Sequence, residues 1–207
     1  MTLAYAYDKI KLLTNHKGEN IMGLDMFLYR EQHITTTDNK ITYKDYNTEE
    51  EQQVELQSDY EDDVYCATIK TCVADWRKAN QIHKWFVDSI QDGEDDCGYY
   101  YVPFEHLQRL LDICKKIKKE CPLVDGKVQN GYSFNENGEK VYDYEDGKVM
   151  TNVELAEKLL PTTEGFFFGS TGYDQWYMQD IEYTIVVLED IIKNDNGGAN
   201  YYYTSSW

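Results

Sequence analysis

The segment Asp75-Trp76-Arg77-Lys78-Ala79-Asn80-Gln81-Ile82-His83-Lys84-Trp85-Phe86-Val87 constrains this chain more than any other. Laid out at about 100° per residue, it brings Trp76, Ala79, Asn80, His83, Phe86, Val87 and Ile90 into a stripe about 120° wide. Ile82 and Trp85 form a second apolar side, leaving Arg77, Gln81, Lys84 and Asp88 as the exposed strip. A helix apolar on two sides packs between layers, so the spacing predicts a core helix from about Cys72 to Gln91. Gly93 follows as its C-terminal cap. The inward stripe also carries an amide and an imidazole. Buried polar groups cost roughly 1–3 kcal/mol unless they are hydrogen-bonded, so Asn80 and His83 must find structural partners or serve a site.

The rest of the chain divides by punctuation. Leu24, Met26 and Leu28 alternate with Asp25, Phe27 and Tyr29, which predicts a strand. Residues 38–63 are polar and acidic, and read as a solvated insertion with a strand around Ile41 to Tyr46. Tyr99–Val102 reads as a short strand. Pro103 then opens a helix carrying Phe104, Leu107, Leu110, Leu111, Cys114 and Ile117, closed by four lysines and Pro122. Asp125-Gly126, Asn130-Gly131, Asn137-Gly138 and Asp146-Gly147 are turn signals, giving a small β-meander over 123–149. Thr151 and Glu154 have capping-box spacing before a short helix. Gly165–Phe168 reads as a buried strand running into a Gly-Ser-Thr-Gly turn, and Asp174 caps the last helix. The aromatic tail is either mobile or docked as an extra strand.

These elements give an α+β fold, with about three main helices packed on a mixed or antiparallel sheet and a β-hairpin-rich insertion. Residues 1–21 read as an N-terminal extension, with Met22 a candidate internal start. Residues 22–193 form a single α+β domain containing the 123–149 insertion, and 194–207 an aromatic C-terminal tail.

Charge narrows the function classes. Thirty-eight acids against twenty bases leave −18 at pH 7, which argues against binding a phosphate backbone through an extended basic face. A solvated acidic surface and an acidic mimic that occupies a basic partner both remain. So does a small basic pocket for an anionic ligand. No apolar run approaches the roughly 18–20 residues of a membrane span. The first 21 residues lack the apolar core of a secretory signal, so a cytoplasmic setting is expected. Five irregularly spaced cysteines without a CxxC read as reduced thiols. Nineteen tyrosines fit a tyrosine-rich sheet surface first, and an interface or ligand wall second.

Two constellations could carry chemistry. Arg77, Asn80, His83 and Lys84 offer donors to a phosphate or carboxylate, with Trp76 nearby for stacking. The plain alternative is that Asn80 and His83 satisfy neighbouring backbone. The loop Gly169–Tyr173, with Ser170, Thr171 and Tyr173 before a helix N-terminus, has a geometry that receives anions. It is neither a P-loop nor a dinucleotide fingerprint, and a tight connection is its plain reading. Asp92, Glu94, Asp95 and Asp96 lack calcium-loop spacing, so neither a metal nor a cofactor is expected. Catalytic signatures are missing: there is no GxSxG and no HExxH. His83 as a base and Ser170 as a nucleophile would need the fold to bring them together. The ligand-binding candidates are therefore Trp76, Arg77, Asn80, His83, Lys84, Ser170, Thr171 and Tyr173.

The motifs Met22–Leu28, Trp76–Val87 and Gly165–Thr171, in that order, resemble an uncharacterised family of bacteriophage and prophage proteins. The resemblance covers roughly residues 22–192. It implies a phage origin and an accessory role, and it transfers no catalytic residue. With the site residues, it leads to an expected function: sequestering a small anionic, nucleotide-type ligand, in its sharpest form an immune signal of the infected bacterial host. An acidic interaction module on a basic host protein is the alternative, and a nucleotide-acting enzyme using His83 the third. Self-association stays open. Direct nucleic-acid binding and membrane binding are not expected. The Asn80–His83 segment and the Gly169–Tyr173 loop should lie close together.

Overall fold

A computed structural model describes residues 23–36, 40–45, 48–55, 65–165 and 167–207. The readings made for residues 1–22, for 38–39, 46–47 and 56–63 of the acidic insertion and for Phe166 lie outside these. The centre is a four-stranded antiparallel sheet. Strand β1 (Asp25–Thr36) lies between β4 (Tyr65–Arg77) and β8 (Ala199–Ser206), and β5 (Tyr100–Val102) lies beyond β8. Strands β2 (Lys40–Lys44) and β3 (Glu51–Glu55) form a separate ribbon, as do β6 (Leu123–Phe134) and β7 (Lys140–Met150). Four helices complete the described residues: α1 (Asn80–Ile90), α2 (Phe104–Glu120), α3 (Val153–Leu159) and α4 (Gln175–Asn194). The α+β class read from the sequence is the one the chain adopts, with the sheets antiparallel.

Strand alternation sets the two sides of the main sheet. Met26, Leu28, Ala74, Trp76, Val102, Tyr201 and Tyr203 face the core and are buried. Helix α1 lies on this face, its Phe86 ring stacked on Tyr203 at 4.0 Å and 8°. Helices α2 and α4 pack along each other, with Leu107, Leu110, Cys114 and Ile117 buried from one and Ile181, Leu188 and Ile191 from the other. The opposite sheet face holds Phe27, Tyr29, Tyr99 and Tyr202 in ring contact, and Lys70 Nζ sits 4.1 and 4.0 Å from the Tyr29 and Tyr99 ring centres. This is a tyrosine-rich sheet surface.

Several local readings change. The helix expected from Cys72 begins at Asn80, because 65–77 is β4, paired with β1 along its length. Trp76 satisfies both periods, lying four residues before Asn80 and pointing inward from the strand. The break falls at Lys78, whose φ of 59° is left-handed. Gln81, assigned to the exposed strip, is 2% exposed. Residues 123–149 form one long hairpin, not a meander. Gly126 and Gly147 sit opposite each other inside it. A Cβ on either would come within 2.6 Å of Val149 or Val128, so these glycines make room for valines instead of turning the chain. Asn130-Gly131 is a bulge, and only the tip at Asn135–Glu139 turns.

Thr151 does not cap α3. Its hydroxyl donates to Pro122 O, and Asn152 occupies the cap position without capping the helix amides, its Nδ2 donating instead to Glu120 O at 3.2 Å. Residues 161–165 and Phe167–Phe168 are irregular, so the expected strand there does not form. Asp174 does cap the last helix, accepting from Trp176 N–H at 2.8 Å and Tyr177 N–H at 3.3 Å. The aromatic tail is a strand, and as β8 it holds an interior position in the main sheet.

Candidate functional site

The first turn of α1, the 162–174 loop and the first turns of α4 meet at one end of the sheet. Asn80, 1% exposed, is the joint. Its Nδ2 donates to Phe168 O at 3.0 Å and Ser170 O at 2.7 Å, and its Oδ1 accepts from Thr163 N–H at 3.0 Å. One amide thereby satisfies three backbone groups of a loop that has no ladder of its own. Gly169 completes the crossing: its φ is +87°, and a Cβ there would lie 3.1 Å from Lys78 Cβ and 3.3 Å from Lys78 O. The close pass over the left-handed Lys78, with the positive φ, favours a residue without a side chain at 169. The two motif segments therefore converge, as their sequence suggested.

His83, also 1% exposed, has both ring nitrogens engaged. Nε2 lies 2.9 Å from Asp95 Oδ2 and Nδ1 2.8 Å from Tyr203 OH. A carboxylate only accepts, so in the neutral ring Nε2 carries the proton and Nδ1 takes the Tyr203 hydroxyl hydrogen. Burial, with the Asp95 charge second, pushes the Tyr203 phenol well above its ordinary value, which keeps that hydrogen in place. Asp95 Oδ1 accepts from Trp207 Nε1–H at 3.1 Å, and Phe168 and Trp207 pack edge-on with centroids 5.9 Å apart. The chain Tyr203–His83–Asp95–Trp207 fastens β8 to α1.

Beside this joint lies a cavity of about 320 Å³, lined by Arg77, Lys78, Gln81, Gly169, Ser170, Gly172, Asp174, Trp176, Tyr177, Gln179 and Asp180. Its charges balance: two cations face two carboxylates. Arg77 Nη1 donates to Asp25 at 2.8 Å, and Gln81 Nε2 to Asp180 at 3.1 Å. Lys78 makes no ion pair among the described residues. Trp176 leaves 48% of its surface exposed. Asp174 has its carboxyl held above the ordinary range, burial outweighing the two amide bonds it accepts. It already serves the first amides of α4, so an anion entering here would be met by side chains more than by the helix end.

Of the eight residues the sequence singled out, Arg77 and Ser170 line the cavity. Asn80 holds the Ser170 wall through its bond to Ser170 O, and His83 does not line the cavity. Trp76 is 4% exposed, packs against Phe86 and Tyr183, and donates its indole N–H to Thr184 Oγ1 at 3.0 Å. Lys84 pairs with Asp88 at 2.8 Å. Thr171 accepts from the Thr162 hydroxyl through its carbonyl, and the Tyr173 hydroxyl accepts from Thr162 N–H. The acidic loop is also engaged: Asp95 holds His83, and Asp96 accepts from Gly98 N–H and Tyr100 OH. Sequence reasoning missed Lys78, Gln81, Trp176, Gln179 and Asp180. Their signal was position: Lys78 adjoins Arg77, and Trp176 follows the Asp174 cap by two residues. No helix among the described residues is long and apolar enough to cross a membrane.

Comparison with known proteins gives no family model, no curated protein and no solved structure that matches this chain.

Proposed function

We propose that this protein captures a small anionic ligand of nucleotide type in the Arg77–Lys78–Trp176 cavity and holds it without turning it over. One observation carries the reading: Lys78, which makes no ion pair among the described residues, and the half-exposed indole of Trp176 line the same cavity of about 320 Å³. That volume lies near the lower end for small-molecule sites, roughly 300–1,000 Å³, and suits a mononucleotide-sized ligand. A ligand with an anionic end for Arg77 and Lys78, a flat ring for Trp176 and N–H donors for Asp180 and Gln179 matches the balanced charge. Capture is favoured over chemistry because His83 is 1% exposed with both nitrogens occupied, and Ser170 Oγ accepts from Gly172 N–H. The phage-like motifs support an accessory role, with a nucleotide signal of the infected host as the sharpest form of the ligand.

Titration of tryptophan fluorescence with AMP, GMP and ADP tests this. Lys78→Ala should weaken binding about 10- to 100-fold, the loss of one charge-assisted hydrogen bond of roughly 1.5–3 kcal/mol. Trp176→Ala should weaken it by a similar factor, since stacking on an aromatic contributes roughly 1–3 kcal/mol per base. Nucleotide affinities left unchanged by both substitutions would refute the site.

A further inference from the structure

The β6–β7 hairpin leaves the body of the protein after its base. Val128 and Met150 are buried there, and Lys148 N–H donates to Gln175 Oε1. From Asn130 to Asp146 every described side chain is exposed. The pairing puts Tyr132 opposite Tyr142, Phe134 opposite Lys140 and Gln129 opposite Tyr144. Strand alternation therefore collects Tyr132, Phe134, Tyr142 and Tyr144 on one face. They are 54%, 66%, 45% and 62% exposed, and the Tyr132 and Phe134 rings meet edge-on at 5.7 Å. Four large rings presented together on an arm with no core beneath them are what an interaction surface looks like. A lone two-stranded hairpin has little stability of its own to offset that exposure.

Charge says what the face would meet. Between Asn130 and Asp146 there are five carboxylates, Glu136, Glu139, Asp143, Glu145 and Asp146, against one lysine, Lys140, and Asp146 is already paired with Lys127 at 2.7 Å. Asp143 and Glu145 lie on the face opposite the rings, and Glu136 and Glu139 at the tip. Nucleic acid and anionic lipid are repelled by such an arm. A second copy of a chain carrying −18 brings the same carboxylates and is repelled too. We propose that the hairpin arm docks on a basic, arginine-bearing protein surface. Guanidinium groups would lie over the Tyr and Phe rings, and the net negative field of the arm would steer the partner's cations toward it. This surface shares no residue with the cavity and stands independently of the ligand reading.

The probe is a short labelled peptide of alternating arginine and leucine, with a glutamate-for-arginine counterpart as control, titrated onto the full chain by fluorescence anisotropy. The arginine peptide should bind and the glutamate peptide should not. The Phe134→Ser/Tyr144→Ser pair should weaken binding at least about tenfold, by removing two cation–π faces. Glu136→Gln/Asp143→Asn should weaken it and flatten its salt dependence. Equal binding of both peptides, no binding of the arginine peptide at low salt, or unchanged affinity in the variants would overturn the proposal. A dimer in sedimentation that the ring pair abolishes would assign the face to a second copy and overturn it equally. Should the ring pair lower the thermal midpoint, the charge pair, which alters only exposed carboxylates, decides.

Discussion

Asn80→Ala tests the joint on which the site is built. The substitution removes two donated bonds, to Phe168 O and Ser170 O, and the acceptor of Thr163 N–H. The Phe168 carbonyl bond is buried, and an abandoned buried group costs about 1–3 kcal/mol. The other two bonds are partly buried, so water recovers part of each, leaving roughly 0.5–1.5 kcal/mol apiece. The sum is about 4 kcal/mol, which for a chain of this size lowers the thermal midpoint by roughly 8–16 °C. Urea denaturation should show a shifted midpoint with an unchanged slope. Asn80→Asp adds a directional check. It keeps the acceptor for Thr163 and aims a second oxygen at two carbonyls, so the new carboxyl should have a raised pKa in the folded state. A raised carboxyl favours folding while protonated, so the variant's deficit should be smallest in acid and grow as pH rises through that pKa. A loss below about 1 kcal/mol for Asn80→Ala, or a pH-independent deficit for Asn80→Asp, would show that Asn80 does not hold the loop.

Other consequences follow from the same packing. Gly169→Ala forces a Cβ against Lys78 at a left-handed φ and should cost about 1–2 kcal/mol in urea denaturation, with nucleotide binding weakened alongside. Trp76→Phe loses the bond to Thr184 and some packing volume, and should destabilise by about 1–2 kcal/mol without altering ligand affinity, since Trp76 lies outside the cavity. Burial raises the phenols of Tyr177, Tyr183 and Tyr203. The unfolded phenols ionise first, near about pH 10, so stability is full below that value and falls above it by up to about 1.4 kcal/mol per pH unit for each. Phenolate absorbance should show these groups titrating only as the chain unfolds, and early titration of all nineteen tyrosines would contradict it.

The sequence disclosed the fold through its strongest periodicities. The amphipathic stripes of α2 and α4, the alternation at Leu24–Leu28 and the Asp174 cap were legible because each is a local rule obeyed locally. The start of α1 was not, because Trp76 fits a helix and a strand equally well and only pairing with β1 decides between them. The glycines of 123–149 misled for a similar reason: Gly126 and Gly147 are there to admit valine side chains across the ladder, which no turn rule records. At the site, the meeting of Asn80 with the Gly169 loop could be anticipated, since a buried amide must find partners. What could not be read was who holds whom. His83 looked available until Asp95, twelve residues on, and Tyr203 from β8 took both its nitrogens. Lys78 carried no signal of its own, and its left-handed backbone beside Gly169 is what sets it at the cavity.

Native mass spectrometry of the purified protein, with release and identification of any bound small molecule, tests the central claim most directly. The account predicts a nucleotide-type anion held at one per chain, lost from Lys78→Ala and retained by Lys84→Ala, whose partner Asp88 lies outside the cavity. A bound anion retained equally by both variants would contradict it. So would an empty protein that, offered AMP, GMP and ADP, takes up none of them.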